Sequence, residues 1–252
     1  MDLPRGYISY SQINTYQNCP QKYFYSYIEE KDIPLNEKIL LGIVFHSTLE
    51  YFFNKKIEGK QIKKEKLINI FQSKFESLCI EKDVIWDGDR QEIENRGIRF
   101  LDYFITVLAP HINPLMVEKK LEVEIDEMDV MLKGIIDLVE QDYTITDFKT
   151  TNSKWSNSRM KRSYLQMVIY KYLFEKSFGT VNPELKLKIL YSSKRKEIDH
   201  QEVILRPGDI DLGKMFKIIQ YVVDNIRKGI FYRNESYFCG FCEFKPFCFQ
   251  SK

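Results

Sequence analysis

Three residues of this chain are best placed to do chemistry: Asp137, Asp147 and Lys149, within the stretch from Lys133 to Thr150. That stretch, KGIIDLVEQDYTITDFKT, reads as two β-runs joined by a polar turn. Side chains alternate across a strand, so Asp147 and Lys149 must share a face. A carboxylate and an ammonium on an otherwise apolar strand are costly unless they have partners or work to do. Two acids suit a hard divalent cation, which takes oxygen ligands. A lysine beside such a cation suits developing negative charge, as in phosphoryl chemistry.

Whether the two acids meet depends on the turn. Opposed residues of an antiparallel pair share a face and keep a constant sum of residue numbers. A loop of Gln141 and Asp142 alone would oppose Asp137 to Thr146 and turn Asp147 to the other face. A loop of Gln141, Asp142 and Tyr143 opposes Asp137 to Asp147. A metal site on this hairpin therefore requires the odd loop, or a bulge that shifts the register.

The second constellation is Cys239-x2-Cys242-x5-Cys248 near the C-terminus. Two thiolates three apart can clamp one metal or cluster, and a third closes most of its shell. Cys19 is the candidate fourth ligand, whereas Cys79, between Leu78 and Ile80, reads as a buried structural thiol. Four thiolates suit tetrahedral zinc or an iron–sulfur cluster, and spacing does not separate the two. Weaker signals are Gln166 and Tyr170, four apart on one helical face, and the basic residues Arg159, Lys161 and Arg162 before them. At a helix start those cations oppose the helix dipole, which hints at an anionic partner. His46 lies near an apolar helical stripe, four residues after Gly42. Lys194-Arg195-Lys196 reads as a solubilising hairpin tip.

The elements that must position these residues follow from periodicity and punctuation. Ser9 caps a short helix ending near Asn18, and Pro20 opens a second. Residues 36–58, 63–82 and 90–108 read as three longer helices. From Leu115 the period changes to two, with a turn at Asp126-Glu127 and alternation resuming at Met128. Residues 159–178 return to helix, Glu184–Ser192 and Glu197–Leu205 form a β-hairpin, and a last helix runs from Pro207 to about Gly229. This order predicts an α/β sheet with a helical annex.

Composition bounds the rest. With 252 residues, 44% hydrophobic and 29% charged, the chain is of globular type. A net charge of +2 means that any basic footprint is local. The 16 Tyr and 18 Phe are mainly core, although aromatic faces also stack on unpaired bases. No leader peptide or apolar run long enough to span a membrane is seen, so no membrane partner and a cytoplasmic location are expected. In that reducing compartment five cysteines point to metal binding or plain burial rather than to disulfides. The phosphate loop of ATPase motors, G-x-S-x-G and H-E-x-x-H are all absent.

Taken together, Gly134-x2-Asp137, Thr146-Asp147-Phe148-Lys149-Thr150 and Gln166-x3-Tyr170 resemble the PD-(D/E)XK nuclease superfamily. Gly42-x3-His46, Asn18-Cys19-Pro20 and the cysteine tail narrow the resemblance to the RecB-like branch with an iron–sulfur cluster. That branch includes the AddB nuclease domain and the CRISPR-associated RecB-like exonucleases. The resemblance spans residues 9 to 248. It implies a restriction-endonuclease-like mixed β-sheet flanked by helices, with an N-terminal helical annex and a C-terminal cysteine cluster. As one domain, residues 1–110 would form the helical part, 111–230 the nuclease core, and 231–252 a tail closing on Cys19. His46, Asp137, Asp147 and the Phe148 carbonyl would bind Mg²⁺ or Mn²⁺. Asp137, Asp147 and Lys149 would be catalytic, with Lys149 acting on the attacking water and the scissile phosphate. Gln166, Tyr170 and the basic residues Arg159, Lys161 and Arg162 would contact DNA. Cys19, Cys239, Cys242 and Cys248 would hold a [4Fe-4S] cluster, with zinc as the alternative. Glu118 is a guess for an assisting acid on the preceding strand. The absence of a proline before Asp137 is a departure common in this branch. The implied activity is a metal-dependent DNA exonuclease preferring single strands, in DNA repair, recombination or CRISPR processing, with a helicase or CRISPR-adaptation protein as partner. The rival is a non-catalytic DNA-binding or scaffolding subunit with a structural cluster.

Overall fold

The structure, a computed structural model, describes residues 1–179, 182–192 and 197–249, with only the main chain of Pro207 and Phe238. The predicted tip Lys194-Arg195-Lys196 lies outside the described residues. The chain starts with β1 (Ile8–Ser9), α1 (Tyr10–Asn18) and α2 (Pro20–Tyr23). A helical annex follows: β2 (Leu35–Asn36), α3 (Glu37–Ile57), α4 (Lys64–Glu81), β3 (Val84–Ile85) and α5 (Arg90–Tyr103). The core comprises β4 (Pro114–Ile125), β5 (Val130–Glu140), β6 (Ile145–Thr151), α6 (Asn157–Arg162), α7 (Tyr164–Phe178), β7 (Leu185–Ser192), β8 (Ile198–Ile204) and α8 (Leu212–Arg227). A short α9 (Lys245–Cys248) lies in the cysteine tail.

Polar caps set the helix starts. Ser9, Asn36, Asp89 and Asp211 each accept a main-chain N–H of the first turn, removing an orphan donor. The six-stranded sheet is mixed, in the order β1-β5-β6-β7-β8, with β4 also paired to β5. Apolar side chains of the sheet meet two layers. On one side lie α1, α7 and α8, including Ile13, Leu173 and Val222. On the other, Leu138, Phe148 and Leu190 of the sheet join Phe45, Phe71 and Phe100 of the annex. The fold is thus a mixed α/β sheet flanked by helices.

One detail of pairing decides where a site can form. β4 covers one edge of β5 along its length, so β1 and β6 must share the other edge. β1 pairs at Leu132 and Lys133, and β6 at Leu138 and Val139. Between them, residues 134–137 have no strand partner on that edge among the described residues, and the sheet forks. The inward face also changes phase here. Leu132 and Ile136 pack with α7 and α8, but Leu138 packs with the annex and Val139 with α7 and α8.

Several expectations are corrected. The helix predicted over 159–178 is two helices, broken at Ser163. Arg159, Lys161 and Arg162 therefore sit in the last turn of α6, where the dipole favours them, and the predicted conflict disappears. The helix predicted over 90–108 ends at Tyr103 and continues as a π-helical turn, Phe104–Leu108. Met128 belongs to a turn closed by Asp129 in the left-handed region, and β5 starts at Val130. The N-terminal part is not purely helical: β1 joins the central sheet, and β2 and β3 form a small parallel pair.

Candidate active site

The hairpin takes the three-residue loop. Glu140 N–H donates to the Thr144 carbonyl at 2.9 Å, and Tyr143 closes the turn at φ 67°. Leu138 opposes Thr146 and Val139 opposes Ile145; the pairing stops there, with Asp137 and Asp147 the next residue on each strand. On the other edge, the pairing of Val117 with Leu138 and Lys119 with Ile136 brings Glu118 opposite Asp137. Glu118, Asp137 and Asp147 thus form a row across three strands. Glu118 has φ 45° within its strand, a conformation that costs a non-glycine residue roughly 1–3 kcal/mol and collects at functional sites.

His46 reaches the row from α3. Its Nδ1 lies 3.4 Å from Asp137 Oδ2 and 3.8 Å from Glu118 Oε1. Among the described residues, His46, Glu118 and Asp137 alone bring three candidate ligand atoms within 4.8 Å of one another. Asp137 Oδ2 also accepts the main-chain N–H of Phe148 at 2.9 Å, because the fork leaves that N–H without a strand carbonyl. The Phe148 ring is buried in the annex layer.

Asp147 is fully buried, and Lys149 Nζ lies 2.8 Å from its Oδ2 and 3.0 Å from its Oδ1. Only the Oδ1 contact has hydrogen-bond geometry, so among the described residues Oδ2 is a buried oxygen without a hydrogen bond. Such an atom fits a metal ligand. Burial pushes the Asp147 carboxyl up; Lys149 opposes this, and Asp137 adds to it. Burial pulls Lys149 down, but Asp147 and Asp137 outweigh it and hold the ammonium charged. Burial pulls His46 down too, and Asp137, Glu118 and Asp147 outweigh it, raising the imidazole to about 9.

Gln166 and Tyr170 come together on α7, where Gln166 Nε2 donates to the Tyr170 hydroxyl at 2.8 Å. Burial and the nearby charges of Asp137 and Asp147 push the Tyr170 phenol well up, so it stays protonated. Arg159 stacks on Trp155 at 4.4 Å, Lys161 is exposed, and Arg162 borders the cysteine cavity. Tyr10 had no motif to mark it. Burial raises its phenol, and the charges of Lys149 and Asp147 act on it, which places it near that ion pair.

Cys19, Cys239, Cys242 and Cys248 line one cavity of about 420 Å³. Burial raises the Cys242 and Cys248 thiols, while Lys22 and Arg233 respectively draw them down. Cys239 Sγ accepts the Ser236 N–H at 3.4 Å. Cys79 lies apart on α4 and is half-buried.

No curated protein matches the chain in sequence. Among solved structures, a candidate exonuclease from Eubacterium rectale is similar with a TM-score of 0.64 and 11% identity, over 93% of this chain and 87% of that one. SSO0001 is 16% identical over 81% of this chain and 96% of that one, at a TM-score of 0.40. The first likeness supports the fold alone, and the second is too loose to argue from. The family model for the PD-(D/E)XK nuclease superfamily matches residues 7–249. That span takes in the forked sheet, the acid row with its lysine, and the cysteine tail; the chain belongs to the PD-(D/E)XK nuclease superfamily.

Proposed function

We propose that this nuclease is a divalent-metal-dependent exonuclease acting on single-stranded DNA ends, with residues 1–252 working as one domain. The group of His46, Glu118 and Asp137, with the Asp147–Lys149 pair on the neighbouring strand, supports a metal-dependent reaction most directly. His46, Asp137, Asp147 and the Phe148 carbonyl would hold the metal, with Glu118 adjoining. The donor set of carboxylates and one imidazole fits Mg²⁺ or Mn²⁺. Such an ion, when bound, supplies charge neutralisation at the scissile phosphate and a more acidic water.

The protein's own groups do the rest. Lys149 keeps its charge beside Asp147 and so presents a fixed cation to developing phosphate charge. Gln166 donates to the Tyr170 oxygen, which leaves the phenol proton free to donate onward to a phosphate oxygen. Arg159, Lys161 and Arg162 supply further cations for the strand.

The same reading gives Cys19, Cys239, Cys242 and Cys248 a [4Fe-4S] cluster as a structural staple, with zinc the alternative.

End-labelled single-stranded DNA with Mn²⁺ or with EDTA tests the activity. Shortening from the ends with Mn²⁺, and none with EDTA, is expected. Cutting of circular single strands at the same rate would replace the exonuclease reading with an endonuclease one.

A further inference from the structure

A groove of about 670 Å³ runs beside the catalytic row, between the start of α1, the β4–β5 ribbon and α7. Gln166 and Tyr170 line it, as do Tyr10, Tyr7 and Lys133. β5 gives it direction: Lys133 lies four residues from Asp137, about 13 Å along the strand. Its floor is the unpaired edge of β5, where Ile135 is 43% exposed within the sheet. Lys133 Nζ lies 4.9 Å from the centre of the Tyr7 ring and 2.6 Å from Glu122. Both members of the Lys133–Glu122 pair are solvent-exposed, so the pair contributes little and exchanges readily for a phosphate.

We infer that this groove is the track of an unpaired nucleic-acid strand, with Tyr7 as a stacking platform for a base and Lys133 as a phosphate contact. The inference rests on the single-strand nuclease reading of the adjacent site. An aromatic face, an exposed apolar floor and a cation are the features that hold single strands without regard to sequence. Glu122 occupies the phosphate position in the free protein.

The test is fluorescence anisotropy with a labelled single-stranded oligonucleotide, Ca²⁺ replacing Mn²⁺, on folded variants checked by thermal unfolding. Tyr7→Ala is expected to weaken binding about ten-fold or more, and Tyr7→Phe to bind as wild type. Lys133→Ala should weaken binding and lower the salt slope by about 0.7. Glu122→Gln should tighten binding, a gain that misfolding does not produce. Lys66→Ala, on the exposed side of α4, should leave affinity unchanged. Wild-type affinity in both Tyr7→Ala and Lys133→Ala would overturn the inference, as would equal losses on a duplex of the same sequence. Cleavage by the wild type with Mn²⁺ is scored separately. If the wild type fails to cut, the nuclease reading falls, while the binding series still decides the groove.

Discussion

In the metal-ligand role proposed for it, His46 would have a proton to lose. Asp137, Glu118 and Asp147 raise its imidazole to about 9, so in the metal-free protein it is an imidazolium at neutral pH. Metal ligation requires the neutral ring. Mn²⁺ affinity should therefore rise with pH, by up to ten-fold per unit, and level off near pH 9. Calorimetric titrations in two buffers of different ionisation heat should show release of about one proton at pH 7. Affinity that stays constant between pH 7 and 9 would show that His46 is not a ligand. The raised value also bears on stability. In the metal-free fold the His46 contribution is complete below the ordinary 6.5 and is lost as pH rises through about 9. The sequence narrowed the relation of Asp137 to Asp147 to two registers, because the period of two and the loop length allow no others, but it did not choose between them. Glu118 was only a guess. Its place in the row depends on a left-handed φ in the middle of a strand, which no alternation pattern encodes.

At the scale of elements, α7 fixes the distance between the sheet and the groups it brings to the site. Every residue from Gln166 to Phe174 is buried, so this helix has no solvent face through its middle turns. It lies so close to β5 that a Cβ on Gly134 would come within 2.6 Å of Leu173 Cδ1 and 3.3 Å of Tyr170 Cε1. Gly134→Ala should thus push Tyr170 and Gln166 off the acid row and destabilise the fold by about 1–3 kcal/mol. A urea midpoint unchanged from wild type would contradict this packing. Helix starts were readable from their polar caps, since the cap supplies the missing acceptor. The break at Ser163 and the two π-helical turns, Phe24–Ile28 and Phe104–Leu108, were not, because no proline or glycine marks them. β1, β2 and β3 have two residues each, too few for any periodicity.

For the whole molecule, the chain ends are tied before any metal is considered. Tyr16 donates to the Ile230 carbonyl at 2.6 Å, Gln21 N–H to the Tyr232 carbonyl at 3.0 Å, and Lys22 pairs with Glu243 at 2.7 Å. Cys19 faces the same cavity as the tail cysteines across this seam. Cys19→Ser and Cys242→Ser should therefore lower metal content and unfolding temperature to similar extents. Cys79→Ser should leave metal content unchanged. Equal iron in wild type and Cys19→Ser, measured by elemental analysis, would remove residue 19 from the ligand set. Under the proposed function the acid row and Lys149 perform hydrolysis rather than merely hold DNA. Loss of one cation aimed at the transition state costs about 3–4 kcal/mol, or roughly 10²–10³ in rate. The most direct measurement compares wild type with Lys149→Ala for both affinity and Mn²⁺-dependent cleavage of single-stranded DNA. The expected result is near-wild-type binding with cleavage lowered by that factor, and Asp147→Ala behaving alike through loss of the metal. The same rate of cleavage in wild type and Lys149→Ala would contradict the claim and leave a DNA-binding protein that keeps the residues without the reaction.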